Sequence, residues 1–162
     1  MSEQVIWQTQ SPEETHLLGE RLGQWLKEQD QPMAIILIGN LGAGKTQLSQ
    51  GIGQGFGIQG TMTSPTFAIV NTYEVDGQFL YHFDLYRLEE EEELENIGFY
   101  ELTERGKSII EWGNKFPKAL PEEALVLTIE IMDEKTRRFM VTSPIFKMDE
   151  LKVLGGSYVY RH

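Results

Sequence analysis

The octet Gly39-Asn40-Leu41-Gly42-Ala43-Gly44-Lys45-Thr46 fits the pattern G-x-x-x-x-G-K-[ST] and directly follows an unbroken apolar run, Met33–Ile38. A short apolar run bounded by turn residues reads as a buried strand. A strand that delivers a glycine-rich turn and then a helix aims several backbone N–H groups, and the positive end of a helix dipole, at one anion. Lys45 adds a mobile cation for β- and γ-phosphates, and the Thr46 hydroxyl is placed to ligate Mg²⁺. The octet therefore predicts a nucleoside triphosphate site.

With 162 residues and 40% hydrophobic content, the chain suits one domain that buries roughly 70% of its unfolded surface. We expect that domain at 1–142, followed by a loosely ordered tail at 143–162, which lacks a firm period and contains Gly155-Gly156-Ser157. There is no cysteine, which excludes disulfides, thiolate zinc sites and cysteine nucleophiles and fits a reducing compartment. Residues 1–10 lack a basic segment followed by an apolar core, and no apolar stretch approaches the ~20 residues that span a bilayer. The expectation is a soluble, cytoplasmic protein without a membrane partner. A net charge of -11 opposes direct nucleic-acid binding, which depends on lysine and arginine neutralising phosphates. The glutamates at 89–93, with Glu95, read as a solvated helix start or, alternatively, as a docking surface for a basic partner.

Val5, Ile6 and Trp7 predict a short strand. Ser11-Pro12-Glu13-Glu14 then predicts a capped helix start, and Leu18, Leu22, Trp25 and Leu26 form its apolar stripe. After the phosphate loop, Leu48, Ile52 and Phe56 share a helix face. The glycines at 51, 53, 55 and 57 come after a helix instead of a strand, so they signal close helix packing and a C-terminal cap and not a dinucleotide fingerprint. Runs at 67–75 and 78–84 flank Asp76-Gly77, a favoured hairpin turn. That turn opposes Asp84 to Ile69, with Thr66 nearby at the open end. A helix is expected at 89–97, strands at 108–112 and 124–132, and a hairpin partner at 137–142. Together these predict an α/β fold, a three-layer P-loop NTPase-like sandwich around a mixed sheet of about seven strands.

Three further places bear on the reaction. The segment Thr63-Ser64-Pro65-Thr66-Phe67 offers Thr66 as a switch hydroxyl over a γ-phosphate, or is a proline-rigidified turn. Asp84 ends an apolar strand where a carboxylate meets Mg²⁺, or it is a helix cap. Glu111 ends Ile109-Ile110, where it can ligate the metal or orient water, or face solvent. A guanine switch is disfavoured because Asn114-Lys115-Phe116-Pro117 has proline where aspartate would read the base. A free-standing small-molecule P-loop kinase stays as the alternative, although Arg137-Arg138 is the only adjacent arginine pair and no arginine-rich lid is evident.

The order Leu41-Gly42-Ala43-Gly44-Lys45-Thr46, Ser64-Pro65-Thr66-Phe67, His82-Phe83-Asp84-Leu85-Tyr86-Arg87-Leu88, Glu93-Leu94 and Ile110-Glu111-Trp112 closely resembles the TsaE (YjeE) family over roughly 11–132. The resemblance implies an ATPase component of bacterial tRNA threonylcarbamoyladenosine biosynthesis that works with TsaD and TsaB and meets tRNA only through that complex. It implies that residues 39–46 cradle the phosphates, that Thr46, Glu111 and Asp84 serve the Mg²⁺, and that Thr66 is the switch residue. It makes Lys45, Thr66, Asp84 and Glu111 the catalytic set. It also brings Ser11 and Thr15 toward the adenine, although a capping box alone accounts for Ser11. Trp112 flanks the metal-side glutamate or belongs to the core, and His82 reads as a paired strand residue.

Overall fold

A computed structural model describes residues 4–39, 44–63, 65 and 69–161. Strand β1 (Val5–Thr9) leads into helix α1 (Pro12–Glu28), whose start is dictated by its capping residues. Ser11 Oγ accepts the Glu14 N–H at 3.1 Å, and Pro12 occupies the first turn, where its missing N–H costs nothing. Glu14 Oε1 reaches back to the Gln10 N–H at 2.8 Å, so the side chain closes the turn one residue earlier than a standard capping box.

The remaining elements are β2 (Met33–Ile38), α2 (Lys45–Phe56), β3 (Val70–Val75), β4 (Gln78–Asp84), α3 (Glu93–Asn96), α4 (Phe99–Arg105), β5 (Lys107–Glu111), β6 (Ala124–Ile131), β7 (Arg137–Thr142) and α5 (Met148–Gly155). Seven strands form one sheet in the order β1-β7-β6-β2-β5-β4-β3. Strands β4, β5, β2 and β6 run parallel, while the β3–β4, β6–β7 and β7–β1 pairs are antiparallel. The sheet is therefore mixed, as expected.

Strand β2 is apolar throughout because both of its faces are covered. Met33, Ile35 and Leu37 join Leu18, Leu22 and Leu26 of α1, Leu48, Ile52 and Phe56 of α2, and Leu151 of α5 in one core. Ala34 and Ile36 face the other core, with Phe83, Ile110, Leu94 of α3 and Phe99 of α4. These are the three predicted layers.

Glycine lets α1 and α2 meet backbone to backbone. A Cβ on Gly23 would lie 2.1 Å from Ile52 O, and one on Gly55 would lie 2.0 Å from Glu20 O. Gly57 caps α2 at φ 109, a value that L side chains rarely adopt. Both roles expected for this glycine series are present.

Several expectations need correction. The helix expected at 89–97 is only the four residues of α3, preceded by turns, because successive glutamates three and four residues apart repel along a helix. Lys115 Nζ pins that turn region by donating to the carbonyls of Tyr86 and Leu88 at 2.6 and 2.5 Å. Helix α4 is an addition to the expected elements; at seven residues it is too short to show a period. Strand β5 stops at Glu111, one residue before the expected end. The segment from 143 is not a loose tail in the described residues. Helix α5 buries Leu151, Trp7 Nε1 donates to Leu151 O at 3.2 Å, and Tyr160 N donates to Ile6 O at 2.7 Å. A short amphipathic helix and single backbone bonds along edge strand β1 leave little periodic signal.

Candidate nucleotide site at the carboxyl edge of the sheet

The carboxyl ends of β2, β4 and β5 lie side by side, which in an open α/β sheet is the edge that binds ligands. From β2 the chain passes through the motif octet into α2. Asn40, Leu41, Gly42 and Ala43 lie outside the described residues, as does Thr66. Gly39 comes directly after β2, and Gly44 caps α2 at φ 99. Lys45 opens α2 and is 6% exposed. Thr46, in the first turn, is exposed.

Sheet register brings the predicted acids together. Asp84 ends β4 directly opposite Glu111, the end of β5, and Glu111 is in turn opposite Leu37 of β2. The hairpin turn at Asp76-Gly77 sets this up, since the Asp84 N–H donates to Ile69 O at 2.9 Å, the expected opposition. Asp84 Oδ1 also accepts the Tyr86 N–H at 3.0 Å, so the residue caps the next turn while standing at the site. Glu111 is 7% exposed, and its Oε2 lies 2.5 Å from His82 Nε2. A carboxylate only accepts, so Nε2 carries the proton. His82 Nδ1 finds no partner among the described residues. His82 is thus paired with one of the predicted acids, a contact invisible in sequence until the register is known.

Burial pushes the Lys45 ammonium below its ordinary value, opposed by the charges of Glu111 and then Asp84. Its Nζ lies 4.3 Å from the centre of the Trp112 ring. Trp112 adopts φ 63, uncommon for a bulky residue, and its ring meets Tyr86 with centroids 4.9 Å apart. Trp112 thus packs at the site, half-buried, beside its chain neighbour Glu111.

Two carboxylates and a hydroxyl from the first turn of α2 fit a hard divalent cation held jointly with phosphate oxygens, as Mg²⁺ commonly is. They do not make an all-protein cage, and among the described residues no three His, Asp or Glu side chains come together to hold a metal ion by themselves.

Ser11 and Thr15 are less suited to a ligand. Ser11 Oγ is engaged by Glu14 N, and Thr15 is 2% exposed with its hydroxyl 2.7 Å from that of Thr9. Arg87 is exposed and forms no ion pair among the described residues. A cleft of about 540 Å³ lined by Pro32, Met33, Tyr100 and Leu120 lies at the opposite, amino-terminal edge of the sheet, away from these groups.

Sheet topology and motif together define a P-loop NTPase-like α/β protein. The family model described as threonylcarbamoyl adenosine biosynthesis protein TsaE matches residues 9–140. The chain belongs to the TsaE family, whose curated members are named for the biosynthesis of tRNA threonylcarbamoyladenosine. The Haemophilus influenzae protein of that name is 41% identical over 106 residues, covering 65% of this chain and 67% of that one. The Bacillus subtilis protein is 34% identical over 141 residues, covering 86% of each. A crystal structure of Bacillus subtilis YdiB superposes with a TM-score of 0.68 at 27% identity, covering 95% of this chain and 93% of that one. Among the described residues, no helix is long and apolar enough to cross a membrane.

Proposed function

We propose that this chain binds and hydrolyses ATP as an accessory subunit in N6-threonylcarbamoylation of adenosine 37 in tRNAs that read codons beginning with A, acting with TsaD and TsaB. The observation that carries the reading is the convergence of Lys45, at the first position of α2, with Asp84 and Glu111 at adjacent strand ends. Among the described residues, no other place pairs a cation at a helix start with two carboxylates at the ends of parallel strands.

In this reading the amides of 39–46 and Lys45 bind the phosphates, and Thr46, Asp84 and Glu111 hold Mg²⁺, which when bound neutralises phosphate charge. Glu111, oriented by His82, also places the attacking water. Thr66 serves as the switch residue that senses whether the γ-phosphate is present. Hydrolysis then acts as a conformational signal that resets the modifying complex. With a net charge of -11, the subunit leaves the grip on RNA to its partners. Such a protein belongs to the cytoplasm, where its tRNA substrates are.

The test is ADP release by the purified chain, alone and with TsaD and TsaB. Slow release alone and faster release with both partners is expected. Equal rates with and without them contradict the accessory role, and transfer of phosphate to a small metabolite without any protein partner would mark a kinase instead.

A further inference from the structure

The cleft of about 540 Å³ at the amino-terminal edge of the sheet is lined by two pieces of chain that flank the start of β2. One is α4, where Tyr100, Thr103 and Glu104 recur at three- and four-residue steps and so share a face. The other is the segment from Lys118 to Glu123 that leads into β6. It is fastened to β2 by the Ala34 N–H, which donates to Glu123 O at 3.0 Å. Part of the lining is apolar: Met33, the first residue of β2, is buried, and Pro32 and Leu120 are half-buried.

The rest of the lining carries negative charge. Glu104, Glu122 and Glu123 are exposed, and among the described residues none of their carboxylates has a hydrogen bond or an ion pair. Glu91 and Glu95 add to the same field, since burial first and then the charges of these two glutamates hold the Tyr100 phenol above its ordinary value. Lys118 is the one cation among the described lining residues. Arg105 and Lys107 line a separate hollow of about 350 Å³, which shares Gln31 and Pro32 with the cleft, and there Lys107 is bonded to Gln78.

Unpaired carboxylates that share one cleft repel one another and raise the local concentration of the opposite charge. Five of them against one ammonium select a cationic ligand. The apolar strip beside them selects a ligand that brings apolar side chains as well, which a peptide segment does and a metal ion or polyamine does not.

We propose that the groove at the amino-terminal edge of the sheet is a docking site for a basic segment of a partner protein. Lysine or arginine side chains of that segment meet Glu104, Glu122 and Glu123, and an apolar neighbour rests on Met33 and Leu120. Nothing in the groove belongs to the candidate nucleotide site, which lies at the opposite edge, so ADP release by the chain alone stays as in wild type when the groove is altered.

The experiment is fluorescence anisotropy with a fluorescein-labelled peptide of alternating arginine and leucine, at low and at physiological salt. Wild type is compared with the triple variant Glu104→Gln, Glu122→Gln, Glu123→Gln and with a charge-matched control, Glu130→Gln, Glu134→Gln, Asp149→Asn, whose positions are exposed and outside the groove. We expect the groove variant to bind about tenfold more weakly, the sum of three exposed charge pairs. The control should change affinity by about twofold at most, because screened charges away from the ligand act weakly. Equal losses in the two variants would reveal general attraction to an acidic surface and overturn the proposal, and so would a wild type that does not bind the peptide. Equal affinity for a peptide of alternating arginine and serine, or displacement by spermidine at the peptide's own concentration, would show that charge alone is read and overturn it as well.

Discussion

At the scale of single residues, the contact between His82 and Glu111 is the tightest side-chain contact described at the candidate site. Glu111 is almost fully covered, and the imidazole 2.5 Å away fixes which way its carboxylate faces. His82→Phe keeps the bulk and removes the donor. Partners of metal-binding carboxylates matter nearly as much as the ligands, so about tenfold more Mg²⁺ should be needed for half-maximal ADP release. An unchanged Mg²⁺ profile would make His82 a packing residue. Lys107 shows the opposite case, a buried cation with no site. It is 6% exposed and donates to Gln78 Oε1 at 2.7 Å, and burial holds its ammonium below the ordinary lysine value of 10.5 against a weaker opposing pull from Asp30. The folded form thus releases this proton at lower pH than the unfolded chain does. The penalty is full at neutral pH and fades as pH rises from the folded value toward 10.5. Lys107→Met should therefore be more stable near pH 7 by about 1 kcal/mol, with the gain shrinking in alkaline urea melts. Features set by a local motif, such as the place of Lys45 at the start of α2 and the cap made by Ser11, were legible in the sequence. The contact between His82 and Glu111 was not, because it depends on which strands become neighbours.

Among the elements, the α1–α2 contact is the most demanding, since both helices must bring backbone against backbone. Gly55→Ala forces a methyl into Glu20 O and should cost about 2 kcal/mol in urea unfolding, whereas Gly53→Ala meets the flexible side chain of Met62 and should cost less. Equal midpoints for the two variants would mean that the helices separate freely. Strands are legible where both faces are covered or where a turn fixes register: Met33–Ile38, Gln78–Asp84 and Arg137–Thr142 match to the residue. The elements that escape a reading of the sequence are short. α3, α4 and α5 have four, seven and eight residues, and their positions are set by the surfaces they cover more than by any period of their own.

For the whole molecule, topology explains why the candidate site lies at one edge of the sheet. Four parallel strands end there, α2 begins there, and β7, returning antiparallel, begins there with Arg137. The residues from 143 onward cover the edge strand β1, with Arg21 donating to the carbonyls of Leu154 and Val153. The three-layer class was legible because a phosphate-loop motif after a buried strand admits few architectures. The order of the strands was not, since pairing between distant segments leaves no mark in a single sequence. The proposed function depends on triphosphate binding at the start of α2. Titration calorimetry of the purified chain with Mg-ATP, in parallel with Lys45→Ala, tests that directly. A saturable 1:1 isotherm (roughly one ATP per chain, as a single motif requires) that Lys45→Ala abolishes is expected, and wild-type protein giving no heat and no nucleotide-dependent rise in melting temperature would contradict it.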